Sequence, residues 1–195
     1  MSYVTDKIDD EVVRLLQNGG AGLLPTDTIY GLSCRAEDPK AVERLHRLKG
    51  RNANKPFIVL ISDIKMLNML SIFKFDRELI KNYWPGALSI ICPALAAPDW
   101  LQRGANTLAV RLPDYPKLIS LVDQVGPIIS TSANPQGRPP ARSAAEARSL
   151  FGDKLDFYVD IGELDNPPST LVAVENGKLK VVRQGAVKIE AKEQL

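Results

Sequence analysis

The sequence predicts a single α/β domain whose mixed, twisted sheet is flanked by helices, and three observations support this fold class. The length of 195 residues suits one compact domain. Helical and strand patterns alternate along the chain, as they do where strands share a sheet and helices pack on its faces. Asn176-Gly177 lies between two apolar runs late in the chain, which is a strong signal for an antiparallel hairpin.

Two helices with a strand between them are predicted for the first fifty residues. Apolar residues at helical spacing, followed by a Gly-Gly pair, predict a helix over residues 6–18. The short apolar run at 21–24 ends at a proline and is typical of a buried strand. Residues 39–49 carry an apolar stripe, with Asp38 at the N-cap position and Gly50 just beyond the last turn, so they predict a second helix.

The alternation continues through the rest of the chain. Residues 57–61 form a continuous apolar, β-branched run, which predicts a strand covered on both faces. Ser143 and Glu146 form a capping-box pattern, which predicts a helix that ends at Gly152. The remaining predicted elements are short helices over 63–70 and 76–83, strands over 88–92 and 107–112, a helix over 115–124, a strand over 127–130, and hairpin strands over 170–175 and 178–183.

Composition and charge argue against several classes of protein. Apolar residues make up 45% of the chain and charged residues 25%, which is typical of a globular protein rather than a disordered one. The formal net charge of +2 does not indicate a chain-wide nucleic-acid surface, so any basic site must be local. The first ten residues lack the apolar core of a signal peptide, and the longest apolar stretch, 88–98, is interrupted by Pro93 and too short to cross a bilayer. We therefore expect a cytoplasmic protein that does not interact with a membrane.

Several common catalytic chemistries are not expected. The glycine-rich stretch at 19–22 precedes a strand, whereas a phosphate-binding glycine loop follows a strand and opens a helix. His46 is the only histidine, and a lone histidine on a helix is more typical of a structural role than of a metal site. Cys34 and Cys92 are far apart in the sequence, and we expect small buried side chains rather than a disulfide or nucleophiles.

Three polar clusters are candidates for a functional site. The first is the segment 25–32, Pro-Thr-Asp-Thr-Ile-Tyr-Gly-Leu, which directly follows a predicted strand. Open α/β sheets bind ligands beyond the carboxyl ends of their strands, so this segment could line a binding site. The same residues are also compatible with a simple turn that is rich in capping hydroxyls.

The second cluster is basic and lies at the end of the second predicted helix. It contains Arg44, Arg47, Lys49, Arg51 and Lys55 within a short stretch of chain. Cations at the C-terminus of a helix can simply complement its dipole. Alternatively, an arginine fork and a lysine point charge are the groups that would suit a triphosphate.

The third cluster is the segment 130–134, Ser-Thr-Ser-Ala-Asn, which leaves a predicted strand just before a loop rich in proline and glycine. Its hydroxyl and amide groups could orient a small polar substrate, or they could form a plain serine-rich loop. Arg111 and Arg183 lie at strand ends, and Ser169-Thr170 opens a hairpin strand. Each of these can belong to the same site or be an ordinary strand residue.

Seven short motifs, taken in order, resemble a known family. They are PTDTIYGL (25–32), KGR (49–51), WPG (84–86), LAVRLP (108–113), STSAN (130–134), PST (168–170) and VVRQG (181–185). Together they resemble the YrdC/TsaC family of threonylcarbamoyl-AMP synthases over about residues 8–186. The resemblance implies a YrdC-like catalytic domain over 8–186, a C-terminal tail over 187–195, and an open sheet with a positively charged concave face.

The resemblance also implies an activity. The family's reaction joins L-threonine, bicarbonate and ATP into L-threonylcarbamoyladenylate and pyrophosphate, which makes the chain a nucleotidyltransferase. Partner proteins would then use the adenylate to modify tRNAs that read ANN codons. Mg²⁺ is expected to accompany the ATP, and no tightly bound cofactor is expected.

Roles for individual residues follow from the same resemblance. Threonine would be bound by Thr28, Tyr30, Arg111, Ser130 and Ser169. ATP would be bound by Lys49, Arg51, Lys55, Thr107, Ser132, Asn134 and Arg183, with Lys49 and Arg51 as the catalytic cations and no metal held by the protein. Two features depart from some relatives: Lys55 stands where they have asparagine, and the strand at 57–61 has no histidine.

Two other functions remain open at this stage. A basic concavity could bind tRNA or double-stranded RNA without chemistry, and such binding would weaken steeply with salt. A related domain in a larger hydrogenase-maturation protein transfers a carbamoyl group through a carbamoyl-adenylate. Both alternatives differ from the threonine-dependent enzyme in their substrates, so an assay of pyrophosphate release can separate them.

Overall fold

A computed structural model describes residues 1–50, 56–175 and 177–189. In these residues ten strands and seven α-helices alternate along the chain. The strands are β1 Tyr3–Thr5, β2 Ala21–Leu24, β3 Gly31–Arg35, β4 Ile58–Leu60, β5 Leu88–Pro93, β6 Thr107–Arg111, β7 Ile128–Ser132, β8 Phe157–Val159, β9 Thr170–Glu175 and β10 Lys178–Arg183. The helices are α1 Asp10–Gln17, α2 Pro39–Lys49, α3 Met66–Met69, α4 Arg77–Tyr83, α5 Asp99–Gln102, α6 Pro116–Val125 and α7 Ala144–Phe151.

All ten strands belong to one open, mixed sheet. Their order is β1-β8-β2-β3-β7-β4-β6-β5-β9-β10, so β1 and β10 are its edges. The pairs β1/β8, β2/β8, β4/β6 and β5/β9 are parallel, and the other neighbours are antiparallel. The α/β fold class with a mixed, open sheet is therefore confirmed, as is the antiparallel pairing of the two strands that flank Asn176-Gly177.

The predicted helix ends are set by local capping. Asp38 Oδ1 accepts hydrogen bonds from the first turn of α2, and Gly50 ends this helix with a left-handed φ of 57°. Ser143 Oγ likewise accepts from the backbone of Glu146 at the start of α7. Helix α1 begins four residues later than predicted, because Asp9 is its N-cap and accepts a hydrogen bond from a backbone N–H of its first turn.

Four short elements were not predicted: β1, β3, β8 and α5. Three of them contain only three or four residues, which is too short for a recognisable period. Strand β3 was missed for a different reason, since its sequence is Gly-Leu-Ser-Cys-Arg. Gly31 and Ser33 lie opposite serines of β7, so one face of this strand carries none of the apolar side chains that mark a strand in a sequence.

One face of the sheet is covered by helices along most of its width. Leu32, Val59 and Val110 on this face are fully buried, and the largest apolar cluster joins them to side chains from α2, α4, α5 and α7. His46 and Cys34 belong to this side of the molecule. Among the described residues, no helix is long and apolar enough to span a membrane.

The opposite face, called here the divided face, is covered over only part of its width. Helices α1 and α6 pack on one part, through side chains such as Val12 and Leu118. This covered half carries large apolar residues: Leu24, Leu60, Ile128, Phe157 and Val159. The rest, called the open half, forms one wall of a cavity and carries small or polar residues together with Ile58 and Ile91, while Leu60 lies where the halves meet and also lines the cavity. The small or polar residues are Gly31, Thr107, Ala109, Arg111 and Ser130.

Candidate functional site

A cavity of about 380 Å³ lies over the open half and opens to solvent. This volume is in the usual range of small-molecule sites. Its walls combine the segment after β2 with residues of strands β3 to β7, β9 and β10. The predicted site residues that line it are Thr28, Tyr30, Thr107, Arg111, Ser130, Ser132, Ser169 and Arg183.

The remaining predicted residues fall into two groups. Lys49 and Asn134 are buried next to Ser132, at the edge of the cavity, and are hydrogen-bonded to each other. Arg51 and Lys55 lie outside the described residues, so their predicted contacts with ATP stay predictions. Of the arginines predicted to bind substrates, the two within the described residues, Arg111 and Arg183, line the same cavity.

The turn after β2 places hydroxyl groups at the cavity wall. Thr26 Oγ1 accepts hydrogen bonds from the backbone N–H groups of Thr28 and Ile29, at 3.1 and 3.2 Å, and so fixes the turn. Thr28 Oγ1 lies 3.0 Å from Thr26 Oγ1 and accepts a hydrogen bond from Arg111 Nη1 at 3.3 Å. Both interpretations of this segment therefore apply, since Thr26 builds the turn and Thr28 reaches the arginine.

The hydroxyl of Tyr30 is hydrogen-bonded to the protein backbone. It donates to Gly162 O at 2.8 Å and accepts from Ile161 N at 2.9 Å. Both hydrogen-bonding directions of the phenol are therefore used to hold the 161–162 backbone. Tyr30 also lines the cavity, so its predicted contact with threonine stays a prediction, while its hydroxyl anchors the backbone at 161–162.

Arg111 is the most deeply buried cation of the cavity. It ends β6, and only 4% of its surface is exposed. Its Nη1 lies 3.1 Å from Asp27 Oδ1, whereas its Nε has no hydrogen-bond partner within the described parts of the chain. Burial lowers the pKa of Arg111, nearby Asp27 opposes this effect, and Arg183 adds to it. Because an arginine stays protonated even so, the cavity contains a buried positive charge with a free donor.

A second polar group lies on the β5–β9–β10 side of the cavity. Arg183 Nη2 donates to Ser169 O at 2.8 Å, and Ser169 Oγ is 2.9 Å from Ser89 Oγ. Ser89 is fully buried and was not recognised in the sequence. The only signal for it was a polar residue within the apolar run of β5, at a position that shares the divided face.

Lys49 joins helix α2 to the end of β7. Its Nζ donates to Ser132 O at 2.6 Å and to Asn134 Oδ1 at 2.9 Å. The backbone of the loop after Asn134 is tied to the same place, because Gln136 N donates to Lys49 O at 2.8 Å. The side-chain amide of Asn134 also donates to Arg138 O. The buried Lys49–Asn134 pair therefore fixes the start of this loop.

Two members of the basic cluster, Arg44 and Lys49, contact different parts of the molecule. Arg44 pairs with Asp156 at 2.6 Å, at the end of β2 that lies away from the cavity. Lys49, five residues later, is directed to the cavity edge instead. Helix α2 therefore directs Arg44 and Lys49, which are close in the sequence, to different places.

Other titratable side chains considered in the sequence are buried in the core. His46 stacks on Phe57 with ring centroids 4.0 Å apart. Both cysteines are buried and unpaired, as predicted, and burial raises the pKa of Cys92 to about 12 and that of Cys34 still further. Within residues 1–50, 56–175 and 177–189, no group of three or more histidines, cysteines or carboxylates could hold a metal ion.

Comparison with known proteins gives matches over nearly the whole chain. The Sua5/YciO/YrdC family model, described as telomere recombination, matches residues 14–185. A protein of Mycobacterium tuberculosis named putative threonylcarbamoyl-AMP synthase is 36% identical over 182 residues, which cover 91% of this chain and 84% of that protein. The threonylcarbamoyl-AMP synthase of Halorhodospira halophila is 37% identical over 158 residues, covering 78% of this chain and 83% of the relative.

Solved structures of YciO and Sua5 proteins have a similar fold. The crystal structure of E. coli YciO has a TM-score of 0.86 and 25% identity, with 98% of this chain and 99% of that one covered. The crystal structure of P. abyssi Sua5 complexed with L-threonine has a TM-score of 0.83 and 28% identity. The match covers 95% of this chain and 57% of the Sua5 chain, so this chain spans little more than half of that protein.

Proposed function

This chain belongs to the Sua5/YciO/YrdC family, and we propose that it is a threonylcarbamoyl-AMP synthase. The observation that carries the proposal is the cavity on the open half, where two arginines from distant strands meet a set of threonine and serine hydroxyls. The names of the relatives support the same activity. The proposed reaction joins L-threonine, bicarbonate and ATP into L-threonylcarbamoyladenylate and releases pyrophosphate.

The threonine half of the proposed site is centred on Arg111. Its buried guanidinium has a free donor and can pair with a carboxylate. Thr28, Ser130 and Ser169 bring hydroxyls into the same cavity, where they can hydrogen-bond the amine and the side-chain hydroxyl of threonine. A ligand complex of a Sua5 protein with L-threonine adds support for this substrate.

The nucleotide half of the proposed site draws on residues of β6, β7 and β10. Thr107, Ser132 and Arg183 line the cavity there, and Lys49 and Asn134 are anchored beside Ser132. We expect Arg51 and Lys55 to complete this half. Mg²⁺ would come with the ATP, held by phosphate oxygens as part of the substrate.

The chemistry requires positive charge more than a nucleophilic side chain. The amine of threonine adds to bicarbonate to form a carbamate and water, and a carbamate oxygen then attacks the α-phosphorus while pyrophosphate leaves. Both reactants are anionic in the second step. The main tasks of the protein are therefore to hold them in line and to offset their repulsion, which arginine and lysine side chains can do.

The chemistry of the product indicates how it is used. A mixed anhydride of a carbamate and AMP is an activated acyl donor, which suits transfer to an amine on another molecule. We propose that partner proteins accept it in the cytoplasm and modify tRNAs that read ANN codons. The classification as a nucleotidyltransferase follows from the transfer of an adenylyl group to the carbamate.

Pyrophosphate release from ATP tests the proposal directly. Release should require both L-threonine and bicarbonate, and omission of either should abolish it. Valine should be a much poorer substrate, because a pocket that hydrogen-bonds a hydroxyl can reject the analogue without it by factors of about 10⁴. Release that is independent of threonine, or equal with valine, would contradict the proposed activity.

A further inference from the structure

Asp27 is a buried carboxylate directly behind the arginine of the threonine half. Only 9% of its side chain is exposed, and it is not among the residues that line the cavity. Oδ1 of Asp27 lies 3.1 Å from Arg111 Nη1, and Oδ2 accepts a hydrogen bond from Asp114 N at 3.2 Å. The carboxylate thus connects the turn after β2 to the segment after β6.

The two sides of the Arg111 guanidinium are used differently. Nη1 forms an ion pair with Asp27 Oδ1 at 3.1 Å, without the alignment of a hydrogen bond, and donates to Thr28 Oγ1 at 3.3 Å. Nε is buried and has no partner among the described residues. A buried donor without an acceptor is costly, and an acceptor supplied by a bound ligand would relieve that cost. A carboxylate would suit this free edge, since it can accept two parallel N–H bonds from arginine.

Charge explains why a carboxylate is needed at position 27. Arg111 and Arg183 line the same cavity, and two guanidiniums repel each other in a poorly solvated space. The negative charge of Asp27 offsets that of Arg111 from the side away from the ligand. An amino acid, which carries no net charge, therefore meets an arginine whose charge is already offset by Asp27.

We propose that Asp27 is a positioning residue that fixes the Arg111 guanidinium so that its Nε edge faces the carboxylate of threonine. This inference rests on the proposed function, since it assigns a task within the threonine half of the site. The alternative is that Asp27 competes with threonine for Arg111 and is displaced on binding. The two accounts predict opposite changes when the charge of Asp27 is removed.

The Asp27→Asn variant separates these accounts, because it keeps the size of the side chain and removes its charge. We expect KM for threonine to rise roughly tenfold to a hundredfold, as misplacement of a binding group typically does. KM for ATP and kcat at saturating threonine should stay close to wild type. An unchanged or lower KM for threonine would overturn the proposal.

Two controls make the result specific. Asp156→Asn removes a carboxylate that pairs with Arg44 at 2.6 Å away from the cavity, and it should leave KM for threonine unchanged. In an Arg111→Ala background, Asp27→Asn should add little further loss in threonine use, because the group that it positions is gone. Additive losses in the double variant would overturn the proposal.

A measurement on the wild-type protein keeps the test independent of activity and of variant folding. The Nε–H of Arg111, identified in ¹⁵N spectra by its loss in an Arg111→Lys variant, should exchange slowly because the guanidinium is fixed and buried. Threonine should shift this signal. Rapid exchange would overturn the positioning role. Absence of threonine-dependent pyrophosphate release in wild type, with a slow and fixed signal, would instead refute the proposed function alone.

Discussion

The covered half and the open half of the divided face share strands β4 and β7, yet they carry different side chains. Leu60 and Ile128 lie under α1 and α6. In the same strand as Ile128, Ser130 faces the cavity, and Ala109 and Thr107 line it from β6. Large apolar residues stabilise helix packing in the covered half. In the open half, small or polar residues leave space for a ligand.

This difference shows how one sheet can serve both stability and binding. The covered half gains free energy from removal of apolar surface from water. The open half gives up that gain and buries Arg111 beside Asp27, an arrangement that costs desolvation unless it is well paired. Substitutions in the two halves should therefore change different quantities, and the following predictions test this separation.

The largest effect is expected for Arg111→Ala in the open half. Loss of a preorganised charged donor should lower kcat/KM for threonine roughly a hundredfold to a thousandfold. Some stability should be lost too, because Asp27 would be left buried without its cation. A threonine titration of pyrophosphate release measures the first effect. An unchanged titration would contradict the role of Arg111, and Arg44→Ala serves as the matched control.

The complementary change is Leu118→Ala in helix α6, above the covered half. Leu118 is fully buried in the cluster that joins α1 and α6 to the sheet. Its truncation should lower the free energy of unfolding by about 2–5 kcal/mol. Urea unfolding measures this loss. KM for threonine should not change, and a specific rise in KM would mean that the two halves are not separate.

A smaller effect is expected for Gly31→Ala at the cavity wall. A Cβ atom at this position would lie 2.6 Å from Ser130 Oγ, so the serine hydroxyl would have to rotate. We expect KM for threonine to rise by roughly tenfold, in line with the loss of one hydrogen bond to a charged group. The same change in a Ser130→Ala background should have little effect, which steady-state kinetics can check.

The smallest effect is expected from thiol modification of the native enzyme. Burial holds the pKa of Cys92 at about 12 and raises that of Cys34, so neither is a thiolate at neutral pH. Iodoacetamide should therefore leave both thiols and the activity intact until the protein is unfolded. Mass spectrometry of the treated protein measures the extent of modification. Rapid labelling with loss of pyrophosphate release would contradict the absence of thiol chemistry.

Sequence patterns predicted the elements whose signal is local. The caps of α2 and α7 and the late hairpin depend on a few neighbouring residues, and their bounds were predicted closely. Strand β3 was missed because Gly31, Ser33 and Arg35 on one of its faces interrupt the apolar alternation that marks a strand in a sequence.

The residues of the candidate site were only partly predictable from the sequence. Motif order indicated Thr28 and Arg111, which the fold brings within hydrogen-bonding distance. Neither Asp27 nor Ser89 was assigned a role, since their significance depends on partners from distant strands. Tyr30 was predicted to bind threonine, and its hydroxyl also holds the loop at 161–162, a contact that no local pattern reveals.

The central claim is that the open half binds threonine and nucleotide side by side. A crystal structure with L-threonine and a non-hydrolysable ATP analogue tests it most directly. We predict the carboxylate of threonine on Arg111 Nε, with Asp27 still on Nη1, and the phosphates beside Arg183 and Ser132. Ligands bound elsewhere, or an Arg111 whose Nε stays without an acceptor, would contradict the account.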